Sequence, residues 1–156
     1  MRFLFDEMLR RLASWCRILG IDSEFWGGEG DTRLLARAKK NGLVLVTRDL
    51  QLSVRCEKAG VKFIMIRSDA IEEQIAQFLR ESGAIVTFPE KTRCASCNGE
   101  LLDAPPETVK DELPENVLQN NKKFWRCPKC NKIYWEGGHW KNIVRIYEKA
   151  LEIMKG

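Results

Sequence analysis

The sequence predicts an α/β protein with a mostly parallel sheet, followed by a small metal-stapled ribbon and a closing helix. Three observations carry that expectation. Short β-like runs alternate with helical patterns through the first 88 residues, four cysteines then fall in two Cys-x-x-Cys pairs, and residues 139–154 return to helical periodicity. With 156 residues, 44% of them hydrophobic, the chain has room for one ordinary domain, residues 1–88, and one small appendage, residues 89–156.

The elements follow in order. Arg2-Phe3-Leu4-Phe5 is a short apolar run that reads as a strand. Met8, Leu9, Leu12, Trp15, Cys16 and Leu19 recur at helical spacing until Gly20. Glu24-Phe25-Trp26 reads as a second strand, closed by the loop Gly27-Gly28-Glu29-Gly30. Asp31 opens a helix through Leu34, Leu35 and Ala38 up to Asn41-Gly42. Leu43-Val44-Leu45-Val46 is strongly β-like, Leu50 to Ala59 is a helix stopped by Gly60, Val61 to Ile66 is a strand, and Asp69 to Ser82 is a helix stopped by Gly83. Strands and helices alternating with connections of a few residues argue for parallel strands covered on both faces, a three-layer arrangement. Right-handed crossovers bring the C-terminal ends of such strands to one edge of the sheet, where folds of this kind form their sites. After Pro89 the segments shorten, and Pro105, Pro106 and Pro114 mark a long, poorly periodic insertion within a hairpin-built ribbon. A closing helix places Ile143, Ile146, Tyr147, Ala150, Leu151 and Met154 on one side.

Composition excludes several classes. No apolar run approaches the roughly 20 residues needed to cross a membrane. Asp6 interrupts the N-terminal apolar run too early for a secretory signal, so a cytoplasmic protein is expected. The net charge is +4, with 14 Lys and Arg against 13 Asp and Glu in residues 1–90 and 12 against 9 in residues 91–156. The basic excess lies mostly in the tail, a bias compatible with nucleic acid and equally with an ordinary solvated surface.

Cys94-Ala95-Ser96-Cys97 and Cys127-Pro128-Lys129-Cys130 stand 29 residues apart. Each pair directs two thiolates at one cation, and two pairs complete a closed tetrahedral shell with no open position for a substrate. The pattern predicts a structural zinc ion on Cys94, Cys97, Cys127 and Cys130, favoured over disulfides in a reducing cell. Cys16 and Cys56, at apolar helix positions, read as buried thiols.

Chemistry is expected elsewhere, at the strand ends. Asp6 follows the first strand, Asp49 the third and Asp69 the fourth, Asp31 heads its helix, and Glu7 adjoins Asp6. Carboxylates gathered on one edge repel one another, and the usual compensation is a hard divalent cation, magnesium or manganese, which can activate water against a phosphodiester. Each of these aspartates also precedes a helix and is equally placed to be its N-cap, Asp69 with Glu72 three residues on and Asp31 being the plainest cases.

Asp6-Glu7-Met8-Leu9-Arg10-Arg11-Leu12-Ala13, Asp31 ahead of Leu34-Leu35, and Leu45-Val46-Thr47-Arg48-Asp49 together resemble PIN-like ribonucleases. Arg93-Cys94 through Gly99, and Trp125-Arg126-Cys127 through Ile133-Tyr134-Trp135, Gly137 and His139-Trp140, extend the likeness. Over nearly the whole chain the sequence resembles the Mut-seven C-terminal RNase family, in which a PIN-like domain carries a C-terminal zinc ribbon. The resemblance implies a PIN-like three-layer fold and a metal-dependent ribonuclease. It further implies Asp6, Asp31 and Asp49 as ligands of Mg2+ or Mn2+, Glu7 assisting, Asp69 as a further acidic candidate, and products bearing a 5′-phosphate and a 3′-hydroxyl. PIN domains ordinarily hold another acidic residue within a central helix; residues 32–40 contain none.

For holding RNA, Arg10, Ser14 and Arg17 fall on one helix stripe with Arg11 beside it, and Arg48 adjoins Asp49; guanidinium groups there suit phosphates, and the same pattern suits a solvated helix face. In the ribbon, Lys122, Lys123, Arg126, Lys129 and Lys132 interleave with Phe124, Trp125, Tyr134 and Trp135, a mixture that suits unpaired RNA. At least half of those aromatics are expected in the ribbon's own core. His139, the single histidine, sits in the Gly-x-His-Trp segment with either a structural or an RNA-contacting role. Two readings follow: a ribonuclease whose ribbon positions RNA, or a non-catalytic RNA- or protein-binding module on a degenerate scaffold.

Overall fold

The computed structural model describes residues 1–28 and 30–156; Glu29, in the expected glycine loop, lies outside the described residues. The N-terminal part runs β1 (Phe3–Phe5), α1 (Arg10–Ile18), β2 (Ser23–Phe25), α2 (Asp31–Asn41), β3 (Val44–Thr47), α3 (Leu50–Ala59), β4 (Phe63–Met65) and α4 (Ile71–Ser82). A short 3-10 turn, Glu7–Leu9, joins β1 to α1. All four strands pair in parallel in the order β2-β1-β3-β4, with Phe5 opposite Phe25 on one side and Val46 on the other.

Alternation along the strands divides the core into two layers. Phe3, Phe5, Val46 and Ile64 pack with Leu12, Cys16 and Leu19 of α1 and Ile75, Phe78 and Leu79 of α4. Leu4 and Leu45 face the other way, onto Leu34, Leu35 and Ala38 of α2 and Leu52 and Cys56 of α3. The Phe78 ring meets Phe3 edge-on at 4.9 Å and Phe5 at 5.6 Å. Side chains of this size each contribute about 1.5–3 kcal/mol when fully buried. The chain leaves β1 toward β2, then returns past β1 to β3, so crossovers from β1 and β3 diverge. A crevice at the carboxyl ends of strands opens at such a switch point.

After a linker come β5 (Leu102–Asp103), α5 (Pro106–Val109), α6 (Glu115–Asn120), β6 (Phe124–Arg126), β7 (Ile133–Trp135) and α7 (Trp140–Lys155). The three strands form an antiparallel sheet in chain order. The insertion, poorly periodic in sequence, contains two short helices. Pro106 begins α5 and Pro114 precedes α6, at helix starts, where a missing N–H costs nothing. Val109, Ala104 and Phe124 make a small core there. Of the ribbon aromatics Phe124 is buried, whereas Trp125, Tyr134 and Trp135 are half-buried. Helix α7 returns to α4: Ile146 and Ala150 lie in the same core as Phe3 and Phe78, and Arg80 donates to the Ile153 carbonyl.

Candidate functional site

Asp6 and Asp49 stand at the carboxyl ends of adjacent strands, one on each side of the switch point. Asp6 is only 6% exposed. Its Oδ1 accepts from the Met8 N–H at 3.0 Å, and its Oδ2 accepts from the Thr47 hydroxyl. The same Thr47 oxygen accepts the Asp49 N–H at 2.9 Å, so one hydroxyl ties the two acidic segments together. Asp49 caps α3, its Oδ1 accepting from Gln51 N–H at 2.9 Å and Leu52 N–H at 3.3 Å. Its Oδ2 makes no hydrogen bond to a described residue. Capping and ligand roles are therefore compatible at Asp49, because a carboxylate has two oxygens.

Burial raises the Asp6 carboxyl from its ordinary value, and the Asp49 charge adds to the shift. Hydrogen bonds from Thr47, the Met8 amide and the Arg48 amide oppose it without cancelling it. A buried carboxylate held beside a second one binds a cation more readily than a lone surface acid, since the cation relieves both desolvation and repulsion. Oxygen-only donors of this kind suit hard ions. In the sequence Thr47 reads only as part of a Thr-Arg-Asp run; its hydroxyl faces Asp6 because β1 and β3 are neighbours, a pairing that local sequence does not state.

The remaining acidic residues are placed differently. Asp31 is the first residue of α2 and exposed, and Gly30 is the N-cap, so the expected Asp31 cap does not form. Glu7 opens the 3-10 turn, and its carboxylate packs on Gly28: a Cβ there, at φ +93°, would sit 2.6 Å from Glu7 Oε2. Asp69 does not cap α4 with Glu72 either. Helix α4 starts two residues later with Ala70 as N-cap, while the 92% exposed Asp69 side chain pairs with Arg48 at 2.6 Å. The Gln74 amide bonds the Ser68 carbonyl instead. Among the described residues, the carboxylates of Asp6, Asp31 and Asp49 do not all three come within 4.8 Å of one another; the cysteine tetrad is the group that does.

That tetrad fits zinc. Cys94 and Cys130 sulfurs are 3.6 Å apart, Cys97 and Cys127 sulfurs 3.4 Å, and all four lie within 4.8 Å. Tetrahedral zinc with bonds of about 2.3 Å separates its sulfurs by about 3.8 Å. The Tyr134 hydroxyl lies 3.0 Å from Cys94 Sγ, an outer bond that orients a ligand.

The expected RNA-contacting residues divide in two. Arg10 is exposed and lies 4.5 Å over the Phe25 ring, and Arg11 is exposed. Arg17 is turned inward, 8% exposed, and donates to the Ser23 and Ala95 carbonyls, so the stripe Arg10, Ser14, Arg17 is not a solvent face along its length. Apolar periodicity could not reveal this, because the partners of Arg17 come from β2 and from the ribbon. Burial pulls the Arg17 guanidinium down from the ordinary arginine value, and Cys97 and Cys94 oppose that. In the ribbon, Lys123 and Lys129 are exposed, Lys132 reaches Ser96 Oγ at 3.2 Å and lies over the Tyr134 ring, and Arg126 is paired with Glu112. His139 is exposed at the N-terminus of α7, where its side chain makes no capping bond.

A three-layer parallel α/β domain with acidic residues at its switch point and a four-cysteine ribbon behind it defines the class of protein. The Mut7-C RNAse domain model matches residues 1–147, and the chain belongs to that family, whose described activity is that of a ribonuclease. No curated protein and no solved structure matches the chain. No helix among the described residues is long and apolar enough to cross a membrane.

Proposed function

We propose that the chain is a metal-dependent ribonuclease that hydrolyses RNA phosphodiesters at the edge formed by Asp6 and Asp49. The observation that carries this reading is the Asp6–Thr47–Asp49 link at the switch point between β1 and β3. Mg2+ or Mn2+ bound there would neutralise charge on the phosphodiester and lower the pKa of an attacking water. Asp6 and Asp49 are the ligands best supported. Asp31 and Glu7, on the segments flanking the crevice, would complete the site, and hydrolysis would leave a 5′-phosphate and a 3′-hydroxyl. Arg10 and Arg11 begin the helix that follows Asp6 and would hold phosphates beside the cut. Asp69, paired with Arg48, would position that arginine.

The ribbon docks where α1 ends and β2 starts, at the N-terminal edge of the sheet, opposite the acidic residues. The nine residues of α1 span roughly 14 Å at 1.5 Å per residue. RNA engaging Lys123, Lys129 or Lys132 together with the acidic edge would therefore have to run around the α/β domain. The zinc ion would hold the ribbon's shape, with cutting left to the carboxylate edge. That Asp6, Asp31 and Asp49 are not all gathered within 4.8 Å of one another favours the second reading, a binding module without catalysis.

Cleavage of a mixed RNA pool with Mn2+ or Mg2+ separates the two. Asp6→Asn and Asp49→Asn, each keeping a hydrogen-bonding side chain, are expected to lower the rate by at least about a hundredfold. Asparagine caps a helix as well as aspartate does, so Asp49→Asn should stay folded. RNA that is bound yet left intact by the wild type, or cut by both variants as fast as by the wild type, would refute the nuclease reading.

A further inference from the structure

The first cysteine knuckle is bonded to the α/β domain by side chains that the second knuckle does not match. Both knuckles share one backbone. Asn98 N–H bonds Cys94 O at 2.8 Å and Cys94 N–H bonds Gly99 O at 2.8 Å, while Asn131 N–H bonds Cys127 O at 2.7 Å and Cys127 N–H bonds Lys132 O at 2.9 Å. Each places an asparagine at positive φ, +71° for Asn98 and +67° for Asn131. Only Asn98 uses its amide to reach the domain. Its Oδ1 accepts the Ser23 N–H at 3.0 Å, and its Nδ2 donates to Asp22 Oδ1 at 2.7 Å, so both ends of one side chain grip the start of β2.

Arg17 completes the joint from the other side. Its Nε donates to the Ser23 carbonyl at 2.7 Å and its Nη1 to the Ala95 carbonyl at 2.9 Å, joining the last turn of α1 to β2 and to the knuckle between its two cysteines. Arg93 returns the contact, with its N–H on the Arg17 carbonyl at 2.8 Å and its guanidinium on the Asn98 carbonyl at 2.7 Å. These partners can meet only while residues 94–98 hold the tight loop that brings Cys94 and Cys97 onto one ion.

We propose that the metal-loaded first knuckle is a plug for the N-terminal edge of the sheet, with Asn98 and Arg17 as positioning residues, so that zinc occupancy sets the order of α1 and β2. Those two elements connect the plug to the acidic edge. The far end of α1 joins the turn carrying Glu7 and Asp6, and β2 leads toward Asp31. Loss of zinc would then loosen the carboxylate edge from behind, in addition to unfolding the ribbon. The inference goes beyond the nuclease reading and is tested without RNA.

The experiment is amide hydrogen exchange on the full chain, zinc-loaded and chelated, in the wild type and in Asn98→Gly, Asn131→Gly and Asp22→Ala. Glycine accepts the positive φ at both knuckles, so the asparagine variants should keep their zinc, which elemental analysis checks. Asp22→Ala removes the Asn98 partner from outside the ribbon, together with the Asp22 ion pairs to Arg2 and Arg93, and changes no zinc ligand. Chelation, Asn98→Gly and Asp22→Ala should each raise exchange over residues 16–25 by roughly tenfold or more, as loss of one or two hydrogen bonds implies, with Ser23 N–H the direct reporter. Asn131→Gly should stay within about twofold of wild type. The proposal is overturned if chelation speeds exchange in residues 94–135 alone. It is equally overturned if zinc-loaded Asn98→Gly and Asp22→Ala exchange like Asn131→Gly.

Discussion

Replacing Thr47 by valine tests whether Asp6 and Asp49 are coupled through the Thr47 hydroxyl. The substitution keeps the shape of the side chain and removes a hydroxyl that donates to buried Asp6 and accepts from the Asp49 amide. A hydrogen bond to a charged group contributes about 1.5–3 kcal/mol and a neutral one about 1 kcal/mol, so Thr47→Val should cost roughly 2–4 kcal/mol near neutral pH without metal. With a urea m-value of about 2 kcal/mol/M for a chain of this size, the midpoint should fall by about 1–2 M. The cost should depend on pH in a defined direction. Asp6 has its folded pKa raised by burial, so its contribution to stability is fully present below the ordinary carboxylate value of 3.8 and is lost as pH rises through the raised value. The Thr47 hydroxyl bond moderates that loss by favouring the charged form. Thr47→Val should therefore be most destabilising above the raised Asp6 value and least so below 3.8, and it should move the acid limb of any metal-dependent activity to higher pH. Thr47→Ser, which keeps the hydroxyl, should cost under about 1.5 kcal/mol with no such pH dependence. Urea titrations over a pH series decide the matter. Equal losses for valine and serine, or a valine penalty that does not change with pH, would refute the coupling.

Two further perturbations read the ribbon and its joint. Gly20 sits at φ +88° with the Lys91 carbonyl 2.8 Å from where a Cβ would lie, so Gly20→Ala should cost at least about 2 kcal/mol in thermal or urea unfolding, with faster exchange at Thr87 N–H, which bonds Leu19 O. Cys127→Ser, or chelation of the wild type, should abolish zinc binding and remove exchange protection from β6 and β7, because metal binding and folding are coupled in so small a module. Elemental analysis showing one zinc per chain, lost in that variant, gives the check; a ribbon that stays protected without metal would refute the structural role.

Much of the fold was legible because it is written in short-range patterns. Continuous β-branched and apolar runs such as Leu43 to Val46 and helical stripes such as Leu34, Leu35 and Ala38 state their own structure, since each needs only nearby faces to bury. The two knuckles were equally plain, because a metal shell needs its ligands at close, regular spacing. Starts of helices were less legible. Asp31 and Asp69 each stand one residue from the N-cap of their helix: Gly30, at positive φ, takes the position before Asp31, and Asp69 pairs with Arg48 instead of capping.

From the sequence alone came the parallel α/β class, the zinc tetrad, the acidic strand ends and the family likeness, since each rests on spacing along the chain. Tertiary structure alone decided that β1 and β3 are neighbours, so that Thr47 bonds Asp6, and that Arg17 faces the ribbon. Those contacts join residues 41 and 78 positions apart. The physical reason is that burial and hydrogen bonding depend on what approaches a side chain from elsewhere in the chain, and an exposed-looking arginine or an ordinary strand threonine carries no local mark of its partner.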